Sequence, residues 1–181
     1  MVAACYTSQV RLVLVDSNPD VALALAEAFK TTPEVEVIAG ELLQHAEGTI
    51  VSPANSQGFM DGGIDAAFAT FFGPSLERAV RDAIAARPEG YLPVGASVIV
   101  ATGHERIRYV IVAPTMMSPE WVEPQNAYRA MRAVLRVVVQ LPVPDRQIWS
   151  PGLGTGVGGV EPADAAREMA AAYGDWLDSL R

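Results

Sequence analysis

Cysteine occurs once in this sequence of 181 residues, as Cys5. One thiol excludes an internal disulfide and a multi-cysteine metal site, and it fits a reducing cytoplasm. Histidine is almost as scarce. His45 and His104 stand far apart without spaced partner ligands, so structural or surface roles are expected and no metal site is predicted. Long apolar runs are missing too. None reaches the roughly 18 residues that a membrane helix needs, and the longest cluster, near 134–141, is interrupted by Arg136 and Gln140. The start, "MVAACYTSQVRLVLVD", lacks a basic region followed by a long apolar stretch, so no signal peptide is read and a cytoplasmic protein is expected. Basic charge is in deficit: the formal net charge is -8. That balance argues against nucleic-acid binding, which depends on basic surface. A small anion is still allowed if local geometry holds it.

What is present is ordinary for a globular chain. Half the residues are hydrophobic and 19% are charged, and the length suits a single domain with a real core. Short runs rich in Val and Ile alternate with helical patterns. Strands are expected at 11–15, 35–40, 49–52, 96–102, 109–114 and 147–152. A helix is expected after "DSNP", with Ser17 or Asn18 as its cap and Pro19 in its first turn. Further helices are read in "IDAAFATFF", "SLERAVRDAIAA", "PQNAYRAMRAVLRVVV" and "PADAAREMAAAYGDWLDSL". The arginines of the fourth, Arg129, Arg132 and Arg136, read as a solvated stripe. Phe68, Phe71 and Phe72 read as core, and Tyr173 and Trp176 as packing against the sheet. Strands separated by helices imply an α/β sandwich with a mixed or parallel sheet.

Two loops follow strands where helices are about to begin: "SPANSQGFMDGG" at 52–63 and "SPGLGTGVGG" at 150–159. Five of the ten residues in the second are glycine. Ligands of open α/β sheets bind beyond the carboxyl ends of strands. Consecutive N–H groups in glycine-rich turns make anion-binding concavities, and a helix N-terminus adds a favourable dipole. Neither loop contains Lys or Arg, and the chain has one lysine, Lys30. A phosphate here would be held by main-chain amides. No Gly-Lys-Ser/Thr triphosphatase loop exists. "GLGTGVGG" echoes a dinucleotide fingerprint, but it lies late in the chain with no strand after it to supply the ribose-binding acid. Tight turns that need positive φ also account for such glycines.

Three segments in order resemble the macrodomain family of ADP-ribose-binding proteins. "TIVSPANS" is similar to its strand and Asn-Ala-Ala-Asn turn, "DGGIDAAF" to its Gly-Gly-Val-Asp helix start, and "SPGLGTGVGG" to its second loop. The likeness runs from about residue 35 to the C-terminus. It implies a three-layer α/β/α sandwich around a central mixed, largely parallel six-stranded sheet. An additional N-terminal strand–helix unit at about 10–31 has no counterpart in the resemblance. The likeness also implies a site. Asn55 would contact the distal ribose, with Ala54 beside it in the turn. Gly62, Gly63 and Ile64 would bring backbone to the ribose and diphosphate, and Gly152, Gly154, Thr155, Gly156, Val157 and Gly158 would wrap the diphosphate. Glu41, followed by Leu42, stands at the adenine-reading position. Asn55 and Asp65 would be the catalytic pair in a hydrolytic member, with Asp65 orienting water at the anomeric carbon.

Departures accompany the likeness. Glu41 is one methylene longer than the usual aspartate, Ser52 and Pro53 replace the start of the turn, and Gly158 stands where an aromatic often packs, which implies a wider site. The resemblance therefore implies a protein that binds ADP-ribose, free or attached to a protein, and that hydrolyses ADP-ribosyl linkages or reads them without catalysis. No cofactor or metal is required.

Overall fold

Leucine and valine alternate along 11–16, and both kinds are apolar, so this strand must be covered on both faces. A computed structural model describes residues 10–181. Cys5 and the start of the chain lie outside the described residues. The chain order is β1 (Arg11–Asp16), α1 (Pro19–Ala28), β2 (Val35–Ala39), α2 (Leu42–His45), β3 (Gly48–Ser52), α3 (Gly63–Phe72), α4 (Pro74–Ala85), β4 (Val98–Ala101), β5 (Ile107–Val112), α5 (Gln125–Val137), β6 (Gln147–Ser150) and α6 (Pro162–Ser179). The six strands form one mixed sheet in the order β2-β1-β6-β3-β5-β4. All neighbours run parallel except β4 and β5.

Successive side chains of a strand point to opposite faces, and two cores result. Leu12, Leu14 and Ile148 face a cluster that includes Leu25, Met131, Leu135, Met169, Tyr173 and Trp176, from α1, α5 and α6. Val13, Val15, Ile50 and Trp149 face the other cluster with Leu42, Phe68, Leu76, Val80 and Ile84, from α2, α3 and α4. This is the three-layer α/β/α sandwich around a mixed, largely parallel sheet. Tyr173 and Trp176 pack in the first core, as expected. Phe68 is fully buried, whereas Phe71 is 40% exposed.

Local chemistry sets the element ends. Asn18 caps α1 by accepting from the Asp20 N–H at 3.0 Å, with Pro19 in the first turn. The last run of the fourth expected helix tightens into a 3-10 turn at Val138–Gln140. Strand β5 begins at Ile107, two residues before the expected start, because β3 pairs with it from Gly48 onwards. The short helix α2 was not expected.

The carboxyl ends of the parallel strands share one edge of the sheet. There β1 ends at Asp16, β3 leads into the first loop and β6 leads into the second. Because β1 lies between β2 and β6, the N-terminal unit sits inside the sheet and its strand end joins the two loops.

Candidate functional site

Asn55 organises the first loop. Its Nδ2 donates to the Phe59 carbonyl at 2.8 Å, and its Oδ1 accepts from the Gln57 and Phe59 N–H groups at 3.1 and 3.3 Å. Asparagine makes such local turns readily. One Nδ2 hydrogen remains for anything in the cleft. The loop is also tied sideways: the Thr115 hydroxyl donates to the Pro53 carbonyl at 2.9 Å, and the Ser56 N–H donates to the Met116 carbonyl at 2.9 Å.

The loop feeds α3, where Asp65 occupies the first turn. Asp65 is 6% exposed, and the Ser52 hydroxyl donates to its Oδ1 at 2.7 Å. Burial pushes its carboxyl up to about 7, and the bond from Ser52 pulls the other way. A carboxyl of that pKa exchanges its proton near neutrality, which suits acid–base chemistry. An N-terminal helix dipole would hold an exposed aspartate ionised; here desolvation dominates.

The second loop leaves β6 and lies against α1. Its far end is tied back by the Gly159 N–H to Gly156 and the Val160 N–H to Gly154, both at 3.0 Å, and by the Val122 N–H to Gly158 at 2.9 Å. Between its anchors, the N–H groups of Gly154, Thr155, Gly156, Val157 and Gly158 have no partner among the described residues. Gly154 has φ +79, a conformation that side chains with a Cβ rarely adopt. The two loops meet across the opening: a Cβ placed on Gly62 or Gly63 would stand 3.8 or 3.9 Å from Cγ2 of Val157. Opposite the row of free amides lies the start of α3, whose Gly63, Ile64 and Asp65 N–H groups are the orphans of a helix N-terminus.

A cleft of about 390 Å³ opens between these elements. It brings every expected site residue together. Ala54, Asn55, Gly62, Gly63, Ile64 and Asp65 line it from the first loop and α3. Gly152, Gly154, Thr155, Gly156, Val157 and Gly158 line it from the second loop, and Glu41 and Leu42 line it from the start of α2. No lysine or arginine is among the lining residues; the charged ones are Asp16, Glu41, Asp61 and Asp65. At Gly158 a Cβ would lie 2.6 Å from the Gly154 carbonyl oxygen and 3.0 Å from Cγ2 of Val122, so no larger residue fits this conformation of the loop.

Sequence reading missed Asp16, Ser17, Asn18 and Val21, which line the cleft from the N-terminal unit, and Phe59 and Thr115 from the loops; Met116, whose methionine pair with Met117 reads in the sequence as able to line a pocket, lines it too. A signal for Asp16 existed: it ends an apolar strand directly before a helix cap, where α/β proteins place ligand contacts. Met117 lies outside the lining and is 49% exposed. Among the described residues there is no cluster of potential metal ligands, and no helix is long and apolar enough to cross a membrane.

A three-layer α/β/α sandwich with a cleft of main-chain amides at the strand ends defines the class. The family model described as "Macro domain" matches residues 51–169, and the chain belongs to the macrodomain family. An uncharacterised protein of Aquifex aeolicus is 34% identical over 141 residues, which span 75% of this chain and 78% of that protein. An O-acetyl-ADP-ribose deacetylase of Escherichia fergusonii is 33% identical over 138 residues, 75% of each chain. Among solved structures, an Oceanobacillus iheyensis macrodomain variant with ADPR superposes with a TM-score of 0.65 at 23% identity, covering 76% of this chain and 75% of that one.

Proposed function

We propose that this protein binds ADP-ribose in the cleft and hydrolyses a bond at its distal ribose. The observation that carries the reading is the row of five N–H groups, Gly154 to Gly158, without a partner among the described residues, in a loop that lines, together with the start of α3, a cleft without a cationic side chain. Main-chain amides and a helix N-terminus are suited to a diphosphate. Glu41 would accept from the adenine amino group at one end. The distal ribose would lie towards the free Nδ2 hydrogen of Asn55 and towards Asp65. Water would add to the anomeric carbon, the bond to the ribose substituent would break with its electron pair going to the substituent, and Asp65 would take up the proton that water releases and return it to the departing group. A carboxyl poised near neutrality supports that role. The ADP-ribosyl group can be free or attached to a protein.

A second reading, a binder without catalysis, draws on Asn55, whose carboxamide is largely spent on its own loop. Calorimetric titration with ADP-ribose, ADP and AMP tests the ligand. ADP-ribose is expected to bind more tightly than AMP, and equal or absent binding of all three overturns the assignment. Release of ADP-ribose from a modified protein, compared between the native chain and Asp65→Ala, then separates the enzyme from the binder.

A further inference from the structure

We propose that Asp16 is the positioning residue of the second loop. It belongs to the N-terminal strand–helix unit, before the segment that the family model matches, and it latches the loop so that the free amides face the cleft. Its Oδ2 accepts from the Gly152 N–H at 3.0 Å, and its Oδ1 accepts from the Asn18 N–H at 2.9 Å. One carboxylate thus joins the start of α1 to the start of the second loop, across 136 positions of sequence. Hydrogen bonds to an ionised acceptor are the stronger kind.

The backbone that carries this carboxylate is held from several sides. Strand β1 pairs on both edges, with Asp16 opposite Ala39 and Leu14 opposite Ser150. The Gly40 N–H donates to the Asp16 carbonyl at 2.9 Å. Close packing completes the latch: a Cβ on Gly152 would lie 2.5 Å from Cγ1 of Val21 and 3.2 Å from Oδ2 of Asp16. Glycine alone lets the loop approach α1 this closely. Among the described residues the other side-chain bonds on the strand side of the loop are the Ser150 hydroxyl to the Pro151 carbonyl at 2.9 Å, the Thr155 hydroxyl to the Gly152 carbonyl at 3.3 Å, and the Leu153 N–H to the Met169 sulfur at 3.4 Å; only the bond from Gly152 to Asp16 ties the loop to the N-terminal unit. The next ties fall on carbonyls of the row itself, where Val160, Gly159 and Val122 donate to Gly154, Gly156 and Gly158. Asp16 therefore fixes the loop at Gly152, two residues before the row, while those ties hold the row itself.

The inference rests on the ADP-ribose reading only for its ligand measurement, and amide exchange tests it without any ligand. In Asp16→Ala, hydrogen–deuterium exchange of the bonded N–H groups of Gly152, Gly159 and Val160 is expected to quicken by on the order of tenfold, the loss of one charge-assisted bond, while exchange over 55–63 stays as in the native chain. Asp16→Asn keeps one acceptor oxygen and is expected to fall between the two. ADP is expected to bind Asp16→Ala more weakly by a similar factor, whereas adenosine, which lacks the diphosphate, is expected to lose little. Unchanged exchange of the Gly152, Gly159 and Val160 amides in both variants overturns the latch. So does an equal loss of ADP and adenosine, because Asp16 would then act on the base end. If the native chain binds neither compound, the ADP-ribose assignment fails and the exchange comparison still decides the role of Asp16. If Asp16→Ala does not fold, the exchange of Asp16→Asn decides it alone.

Discussion

The Ser52 hydroxyl donates to the buried Asp65 carboxyl at 2.7 Å, joining the end of β3 to the first turn of α3. Burial holds the Asp65 proton on to about pH 7 in the folded chain, against 3.8 ordinarily. Between those values the native state carries a proton that the unfolded chain has released. This contribution to stability is complete below 3.8, declines as pH rises, and is gone above about 7. Asp65→Asn is expected to abolish the slope and to be more stable than the native chain above neutrality by a few kcal/mol, at about 1.4 kcal/mol per pH unit. Ser52→Ala is expected to move the inflection upwards, since the hydroxyl favours the ionised form. Denaturant midpoints measured across this range check both.

A diphosphate beside Asp65 favours its protonated form, because like charges in a shared site cannot both ionise cheaply. ADP-ribose binding near neutrality is therefore expected to take up a proton and to weaken as pH rises through about 7, while turnover, which needs the ionised carboxylate in the bound complex, is expected to rise with pH. Calorimetry in buffers of different ionisation enthalpy measures the uptake directly. Zero uptake would place the diphosphate away from Asp65.

Gly158→Ala places a Cβ 2.6 Å from the Gly154 carbonyl oxygen, a backbone atom that cannot swing aside. The loop must shift, and overpacking of this kind costs about 1 to 3 kcal/mol. ADP and ADP-ribose are expected to bind about tenfold more weakly, with adenosine less affected. Isothermal titration of the three compounds checks the difference.

Gly152→Ala drives a Cβ to 2.5 Å from Val21. It is expected to destabilise the chain by about 1 to 3 kcal/mol. Val21→Ala removes the obstructing methyl groups, so the double variant is expected to lose less than the sum of the two single ones. A double-mutant cycle from chemical denaturation measures this coupling. Strict additivity would mean that the loop yields elsewhere.

Asn55→Ala removes three bonds from the first loop. It is expected to lower stability by about 1 kcal/mol as part-buried backbone groups lose their partner. Asn55→Asp keeps the acceptor for the two N–H groups but turns an acceptor on the Phe59 carbonyl, so it is expected to restore little. Thermal unfolding of both variants reads the effect.

Much of the architecture was legible locally. The β-branched runs marked all six strands, and Asn18 followed by Pro19 marked the start of α1, because capping and propensity act over a few residues. The two loops stood out by their glycines, and the cleft gathers every residue expected from them. Less legible was what each side chain does there. Asn55 faces its own loop, and Asp65 is buried rather than a solvated complement to a helix dipole. Those outcomes depend on what packs over a residue, which its neighbours in sequence do not specify.

By itself the sequence determined the alternation of strands and helices, the family, and the poverty of cations around two flexible turns, since each is written in composition and short-range pattern. The tertiary structure alone decided that β1 enters the sheet between β2 and β6, so that Asp16 meets Gly152. Strand pairing of this kind is a contact between distant parts of the chain. It is settled by the burial of both faces of β1 and by backbone hydrogen bonds on both of its edges, and no local pattern names the partner.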